Sequence, residues 1–327
     1  MNKKIGIVGG AGFLGSRLAD RLKTNSADYV IFDVNDSDIN TVKADVRDLS
    51  SLSQLNECDV LVNLAAVHRD DVRPTSLYDD VNVLGAQNIC SIARRYNIKK
   101  IIFTSSVAVY GFANANTAED GEHNYFNDYG RTKHLAEQVF KEWFDENPKE
   151  RMLFIVRPTV IFGEGNRGNV YNLLRQIARR QFVMFGNGRN IKSMAYVENV
   201  AAFLEHGIGF GNGFHLYNYI DKPDFDMNLL VSRTRMTLFG SKGVGIRLPA
   251  FIGNVIGLVA DILAKIIRKP LPVSRIRVKK FMATTQFNTS IDFTSFQAPV
   301  SLNEGLDRTL RYEFLENNES KRTFFTE

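Results

Sequence analysis

The chain has 327 residues, with 41 Lys and Arg against 36 Asp and Glu for a formal net charge of +5. Hydrophobic residues make up 44% and charged residues 24%, ordinary values that exclude intrinsic disorder, collagen-like and low-complexity architectures. A pI near 9.1 admits nucleic acid, anionic membranes or phosphorylated substrates as partners, but residues 265–280 hold seven bases and no acid, leaving 34 bases against 36 acids elsewhere. The basicity is therefore local. Two cysteines, Cys58 and Cys90, are too few for a disulfide framework or a Cys-based zinc site and read as buried thiols. The N-terminus runs directly into glycines without the apolar region of a signal peptide, and the longest apolar stretch, 248–260, is too short to span a bilayer. A soluble, reduced, cytoplasmic protein is the expectation.

Taken in order, residues 5–8 form a short apolar run that breaks into glycines, and 13–22 have helical periodicity. Apolar runs follow at 29–32, 59–64, 101–104 and 152–156, separated by helical patterns over 76–96 and 132–144. Short strands without in–out alternation, each followed by a helix, indicate a parallel sheet covered on both faces. Right-handed crossovers then make an α/β doubly wound sheet of the Rossmann type. After Pro158 helical stretches at 170–180, 197–208, 251–267 and 302–310 mix with Gly- and Asn-rich turns. These predict a smaller, mainly helical lobe over 166–327 beside a dinucleotide-binding domain over 1–165. Segments near 182–222, in particular 182–185 and 214–218, are expected to return and extend the sheet.

The chemistry begins at Gly9, Gly12 and Gly15, which with Gly10 satisfy both GxxGxxG and GxGxxG. Glycines permit a tight strand-to-helix turn and let backbone approach a pyrophosphate, while the helix N-terminus supplies free N–H groups for the anion. Asp33 ends the second strand, where a carboxylate accepts the adenosine ribose hydroxyls and repels a 2′-phosphate, favouring NAD over NADP. Its alternative is a turn or capping residue. Tyr129 and Lys133, at i and i+4, share one helix face. An ammonium beside a phenol favours the phenolate and brings a tyrosine towards use as a proton acceptor. Thr104, Ser105 and Ser106 end the preceding strand on the edge where ligands bind, so a serine hydroxyl there can hold the same substrate oxygen.

Gly9/Gly12/Gly15, Asp33, the run Asn63-Leu64-Ala65-Ala66, the run from Ser105 to Gly111, and Tyr129/Lys133 together resemble the extended short-chain dehydrogenase/reductases. The nearest relatives are the nucleotide-sugar epimerases and dehydratases. Arg157-Pro158, the turn Gly186-Asn187-Gly188 and the stretch Tyr196 to Ala201 add to the likeness, which runs from residue 3 to about 220. The resemblance implies that Tyr129 is the acid/base, that Lys133 holds the nicotinamide ribose and tunes Tyr129, and that Ser106 holds the substrate oxygen. It implies that the loop with Phe13 and Leu14 cradles the pyrophosphate, that Asp33 binds the ribose, and that Asp45 and Val46 flank the adenine. Leu64, Ala65 and Ala66 line the cofactor path, with Asn82 on the following helix. Asn169 matches a position near the substrate diphosphate, and Lys192 stands where many relatives carry arginine, keeping the charge but losing the bidentate fork.

Sugar dehydratases of this family place Asp-Glu after the catalytic hydroxyl residue. Here Val107 and Ala108 occupy those places, so dehydration is disfavoured. The leading reading is an NAD-dependent epimerase acting on a sugar carbinol, C4, of a UDP- or dTDP-sugar. A nucleotide-sugar 4-ketoreductase or related alcohol dehydrogenase is the alternative enzyme, and a redox-inactive dinucleotide-binding regulator the alternative of another class. The family's usual dimer bundle, built from the helices over 76–96 and 132–144, implies a homodimer. The five histidines have no metal-ligand spacing, and no metal is expected. Trp143, Phe140 and Phe144 read as helix packing. The basic segment is read first as a solvated face or as a clamp in which Arg275, Arg277 or Lys280 grips the diphosphate. Peripheral contact with an anionic membrane comes third, and nucleic acid drops out.

Overall fold

The computed structural model describes residues 3–35, 41–69, 72–267, 275–318 and 321–326, without the side chains of 260, 262–266, 275–277 and 280. In chain order the first lobe runs β1 (Ile5–Val8), α1 (Phe13–Thr24), β2 (Tyr29–Asp33), β3 (Thr41–Lys43) and β4 (Val60–Asn63). The expected helix over 76–96 is a composite, in which α2 (Ser76–Tyr78) passes through a π-helical turn, Asp79–Leu84, into α3 (Gly85–Arg95). Then come β5 (Lys100–Thr104), a 3-10 turn at Val107–Tyr110, α4 (Asp128–Asp145), β6 (Met152–Pro158) and β7 (Val160–Phe162). The remainder is α5 (Asn169–Ala178), β8 (Met184–Phe185), β9 (Ile191–Lys192), β10 (Met194–Tyr196), α6 (Val197–Ile208), β11 (Gly213–Tyr219), β12 (Phe225–Asp226), α7 (Met227–Phe239), β13 (Arg247–Leu248), α8 (Ala250–Ile267), α9 (Arg275–Met282) and α10 (Leu302–Phe314).

Seven strands form one parallel sheet in the order β11-β6-β5-β4-β1-β2-β3. The chain reverses direction across the sheet between β1 and β4, and that switch point opens a crevice at the carboxyl edge. Register brings the site's loops together there: Val8 of β1 is level with Phe32 of β2 and Asn63 of β4. The strands are buried on both faces, as uninterrupted apolar runs require. On one face α1 contributes Leu14, Leu18 and Leu22, one turn apart, against Ile7, Val62, Val156 and the α6 residues Val197, Val200 and Leu204. On the other, Ile89 and Ala93 of α3 and Ala136, Phe140 and Trp143 of α4 cover Leu61, Ile101 and Phe103. Trp143 and its two phenylalanine neighbours are thus core, as expected, and both cysteines are buried thiols, with burial pushing Cys58 up to about 11 and Cys90 up to about 12.

The second lobe has its own core, built from Leu174, Ile177, Met184, Met227, Leu230, Leu306 and Leu310. The returning segments divide. Residues 214–218 do extend the sheet, as part of β11 beside β6. Residues 182–185 do not: β8 pairs in parallel with β13 and Met184 is buried in the second core. An apolar run of this length satisfies either partner, and the pairing is decided by β13, which lies more than sixty residues along the chain.

Candidate active site

The cofactor end is built from three loops at the carboxyl edge. Gly9 has φ +78 and donates its N–H to the Phe32 carbonyl at 2.8 Å, and a Cβ there would stand 2.5 Å from the Ala65 nitrogen. The turn after β1 therefore touches the turn after β4, and only glycine fits. Gly15 performs the same service for α1, since a Cβ would lie 2.5 Å from Gly10 Cα. Gly12 caps α1 with no side chain over the helix terminus, so the N–H groups of Phe13 and Leu14 have no capping partner. Asp33 is buried, with Oδ2 accepting the Ala11 N–H at 3.0 Å and Oδ1 the Asn35 N–H at 2.9 Å. Its carboxylate oxygens thus anchor the glycine loop at the end of β2, the turn reading offered by the sequence.

Leu64 donates its N–H to the Val8 carbonyl, and Ala65 donates to Asn63 Oδ1. Ala66 follows in the same half-buried stretch. Asn82 explains how that stretch is held. Its Oδ1 accepts the Val67 N–H at 2.8 Å, while Nδ2 donates to the Val67 carbonyl at 3.0 Å and to Thr132 Oγ1 at 2.9 Å. Both amide hydrogens are spent inside the protein, so Asn82 positions the cofactor loop. Val46 is buried against Gly85, where a Cβ would come within 2.9 Å of its side chain, and its carbonyl accepts from Asn88. Asp45 pairs with Arg47 at 2.6 Å, which holds its carboxyl below the usual range.

The reacting end joins β5 to α4. Ser106 caps the 3-10 turn, its Oγ accepting the Ala108 N–H at 3.1 Å, which leaves the hydroxyl hydrogen to donate outward. Asn127 caps α4 by accepting from Gly130 at 2.9 Å, and a Cβ on Gly130 would lie 2.4 Å from the Ala108 carbonyl oxygen. The first turn of α4, with half-buried Tyr129, thus packs directly on the turn that follows Ser106. One helical turn on, Lys133 is buried, donates from Nζ to the Thr104 carbonyl at 2.7 Å and lies 4.7 Å from the Phe103 ring centre. Burial pushes its pKa down to about 7, with Glu137 opposing. Thr104 Oγ1 and Ser105 Oγ are buried with no hydrogen-bond partner among the described residues. A glycine-lined helix terminus, an anion at the ribose edge, a buried ammonium with donors to spare and two orphaned hydroxyls fit a dinucleotide.

Sequence reasoning missed what stands behind α4. Arg157 is buried and bidentate to Glu137, at 2.9 and 2.6 Å, and also donates to Tyr110 Oη at 2.6 Å. His123, His134 and Glu137 lie close enough to suggest a metal cluster, but Arg157 NH2 stands 3.0 Å from His123 Nε2 and already neutralises Glu137. An arginine inside an otherwise apolar strand was the available signal. Also unread was the C-terminal segment: Arg322 donates to the Ala11 carbonyl at 2.9 Å, and Phe324 packs on Phe13.

The second-lobe residues are more dispersed. Asn169 is exposed at the first position of α5. Lys192, in β9, donates to the Ala283 carbonyl at 2.6 Å, and burial lowers its pKa to about 8. Arg275 and Arg277 begin α9, and their side chains, with that of Lys280, fall outside the described residues.

A profile of the NAD dependent epimerase/dehydratase family matches residues 5–211. The N-acetyl-alpha-D-glucosaminyl-diphospho-ditrans,octacis-undecaprenol 4-epimerase of Escherichia coli O157:H7 is 47% identical over 335 aligned residues, covering the whole of both chains. Among solved structures, the UDP-N-acetylglucosamine 4-epimerase from Bacillus cereus superposes with a TM-score of 0.74 at 16% identity, over 94% of this chain and 98% of that one. The UDP-glucuronic acid 4-epimerase from the same species, in complex with NAD, superposes at 0.70 with 20% identity and the same coverage. The chain belongs to the NAD-dependent epimerase/dehydratase family, and NAD is its cofactor. The resemblance read from the sequence is borne out.

Proposed function

We propose that the protein inverts the C4 carbinol of the sugar in a sugar diphosphate ester, and that it prefers a polyprenyl diphosphate over a nucleotide as the carrier of that sugar. The observation that carries the carrier preference is the extent of the likeness. The family profile ends at residue 211, whereas the undecaprenyl-diphosphate relative matches through the C-terminal lobe to the end of the chain. In this reading that lobe receives the carrier end of the substrate. UDP- or dTDP-sugars are the second reading, supported by the UDP-sugar epimerases of the same fold. Both carriers present the same unit, a sugar joined to a pyrophosphate.

In this account the first turn of α1 binds the cofactor pyrophosphate with the N–H groups of Phe13 and Leu14, and Asp33 takes the adenosine ribose. Asp45 and Val46 flank the adenine, Leu64, Ala65 and Ala66 line the path to it, and Lys133 holds the second ribose. Tyr129 Oη takes the proton from the sugar hydroxyl and returns it; Ser106 Oγ donates to the same sugar oxygen and keeps it in line. NAD, when bound, accepts a hydride from the sugar carbon and gives it back to the opposite face. Val107 and Ala108 hold no proton, which leaves elimination of water without an acid or base. Asn169 and Lys192 are assigned to the diphosphate side, and the domain division at about residue 165 makes the first lobe the cofactor half. The helices α3 and α4 are proposed as a homodimer face.

The test is to supply N-acetylglucosaminyl diphosphopolyprenol and, separately, UDP-N-acetylglucosamine, without added cofactor, and to follow the sugar protons by NMR. Interconversion of two C4 epimers on the polyprenyl carrier, lost in Tyr129→Phe, is expected. Turnover confined to UDP-sugars selects the second reading, and net reduction of NAD to NADH with an accumulating 4-keto sugar, in a parallel incubation with added NAD, refutes epimerisation.

A further inference from the structure

The helix α8 spans 18 residues and is apolar almost all round. Among its described residues, the side that meets the second lobe is marked by two glycines. Gly253 and Gly257 are buried, and a Cβ on Gly253 would lie 2.9 Å from the Phe185 ring and 3.1 Å from Val278 of α9. The opposite side is open to water: Phe251 is 67% exposed, Val255 55%, Val259 50% and Leu258 47%. At 100° per residue these four lie within one sector of the helix. Ile246, just before β13, is 63% exposed and extends the patch along the chain. A cluster of large apolar side chains this dense is costly to leave in water.

Charge says what covers it. Between Ala250 and Met282 the only acid is Asp261, against the seven bases of residues 265–280. Among the described side chains, Lys242, Arg247 and Lys279 are exposed. A second copy of the chain on this face would bring two strongly basic segments together, with repulsion to overcome. An anionic bilayer supplies both missing partners at once, hydrocarbon for the helix face and negative headgroups for the bases. The 18 residues of α8 include Asp261 and Lys265, short of the about 20 apolar residues that a span needs, so the helix is placed in the interface plane.

We propose that α8 docks the enzyme on an anionic lipid bilayer, with the Phe251–Val255–Leu258–Val259 face in the interface and the exposed bases Lys242, Arg247 and Lys279 against the headgroups. The docking goes beyond the substrate reading and does not depend on it, although a polyprenyl substrate would be met at the same surface. All four residues are exposed in the fold and none belongs to the second lobe's core.

The experiment is flotation of the full-length enzyme with vesicles of phosphatidylcholine alone and of phosphatidylcholine mixed with phosphatidylglycerol, in the absence of substrate. Flotation with the anionic vesicles, weakened by salt and by omission of phosphatidylglycerol, is expected. The variants Val255→Glu and Val259→Glu should each bind about tenfold more weakly. They should still turn over a water-soluble substrate with a short prenyl chain as fast as the parent enzyme, which separates docking from the choice of substrate. The proposal is overturned if the parent stays in solution with both vesicle types or if the glutamate variants float as well as it does. It is equally overturned if the parent fails to float and the same variants convert a dimer to monomer, which would assign the face to a second copy.

Discussion

Asn82 Nδ2 donates to Thr132 Oγ1 at 2.9 Å, a buried bond that ties the loop after β4 to the helix carrying Tyr129 and Lys133. Because Asn82 also brackets both backbone groups of Val67, one side chain sets the spacing between the loop after β4 and the first turn of α4. Asn82→Ala would leave both backbone groups of half-buried Val67 without their partner and cut the tie to Thr132, whose hydroxyl keeps its bond to the Asp128 carbonyl. The expected cost is about 1–3 kcal/mol of stability together with a fall in kcat, read by urea unfolding and steady-state turnover. Unchanged values for both would remove Asn82 from the site's framework.

Lys133 should display a conflict between stability and function. Its pKa in the fold, about 7, lies below the ordinary lysine value of 10.5. Between those two values the unfolded chain binds more protons than the folded one, so this group's contribution to stability rises with pH and is most unfavourable below pH 7. Lys133→Met should be inactive yet more stable at neutral pH, by roughly 1–3 kcal/mol. It should also lose stability, relative to the parent, as the pH is raised towards 10. Denaturant melts at pH 7 and pH 9.5 check both signs.

The Glu137–Arg157 pair is buried on both sides, and removing one partner strands the other. Glu137→Ala should cost about 3–5 kcal/mol, whereas Glu137→Leu combined with Arg157→Met should recover much of that loss. A double-mutant cycle by chemical denaturation measures the coupling.

The C-terminal segment lies on the glycine loop through Arg322 and Phe324, and Phe324 also exchanges backbone hydrogen bonds with Gly165 and Arg167. Deleting residues 321–327 should weaken NAD binding by about tenfold. The measurement is NAD content after gel filtration of the parent and truncated enzymes. Equal retention would show that the segment merely rests on the loop.

The parts legible in the sequence are those whose chemistry is local. Gly9 to Gly15, Asp33 and the Tyr129/Lys133 pair each declare themselves within a few residues, and the strands between them are simple apolar runs. The rest depends on distant partners. Asn82 and Arg157 are named in the sequence only through the family likeness, and what they hold becomes visible when Val67, Thr132 and Glu137 come to them. Residues 182–185 were given to the large sheet because nothing near them names β13 as the partner. The helix α7 was missed although its cap is local: Asp226 accepts the Leu229 N–H at 2.7 Å, a signal that could have been read. The basic segment was weighed first as a solvated face or an anion clamp, since charge alone does not reveal that the neighbouring helix is open to solvent.

The central claim is that one sugar carbon is oxidised and then reduced by the same hydride. Running the epimerisation in deuterium oxide tests it most directly, with mass spectrometry and NMR of the sugar C–H positions. Because Tyr129 exchanges only the hydroxyl proton, the account predicts that the inverted C4 keeps its protium through complete equilibration. Deuterium at the inverted carbon would mean that a carbanion was protonated from solvent, and would contradict it.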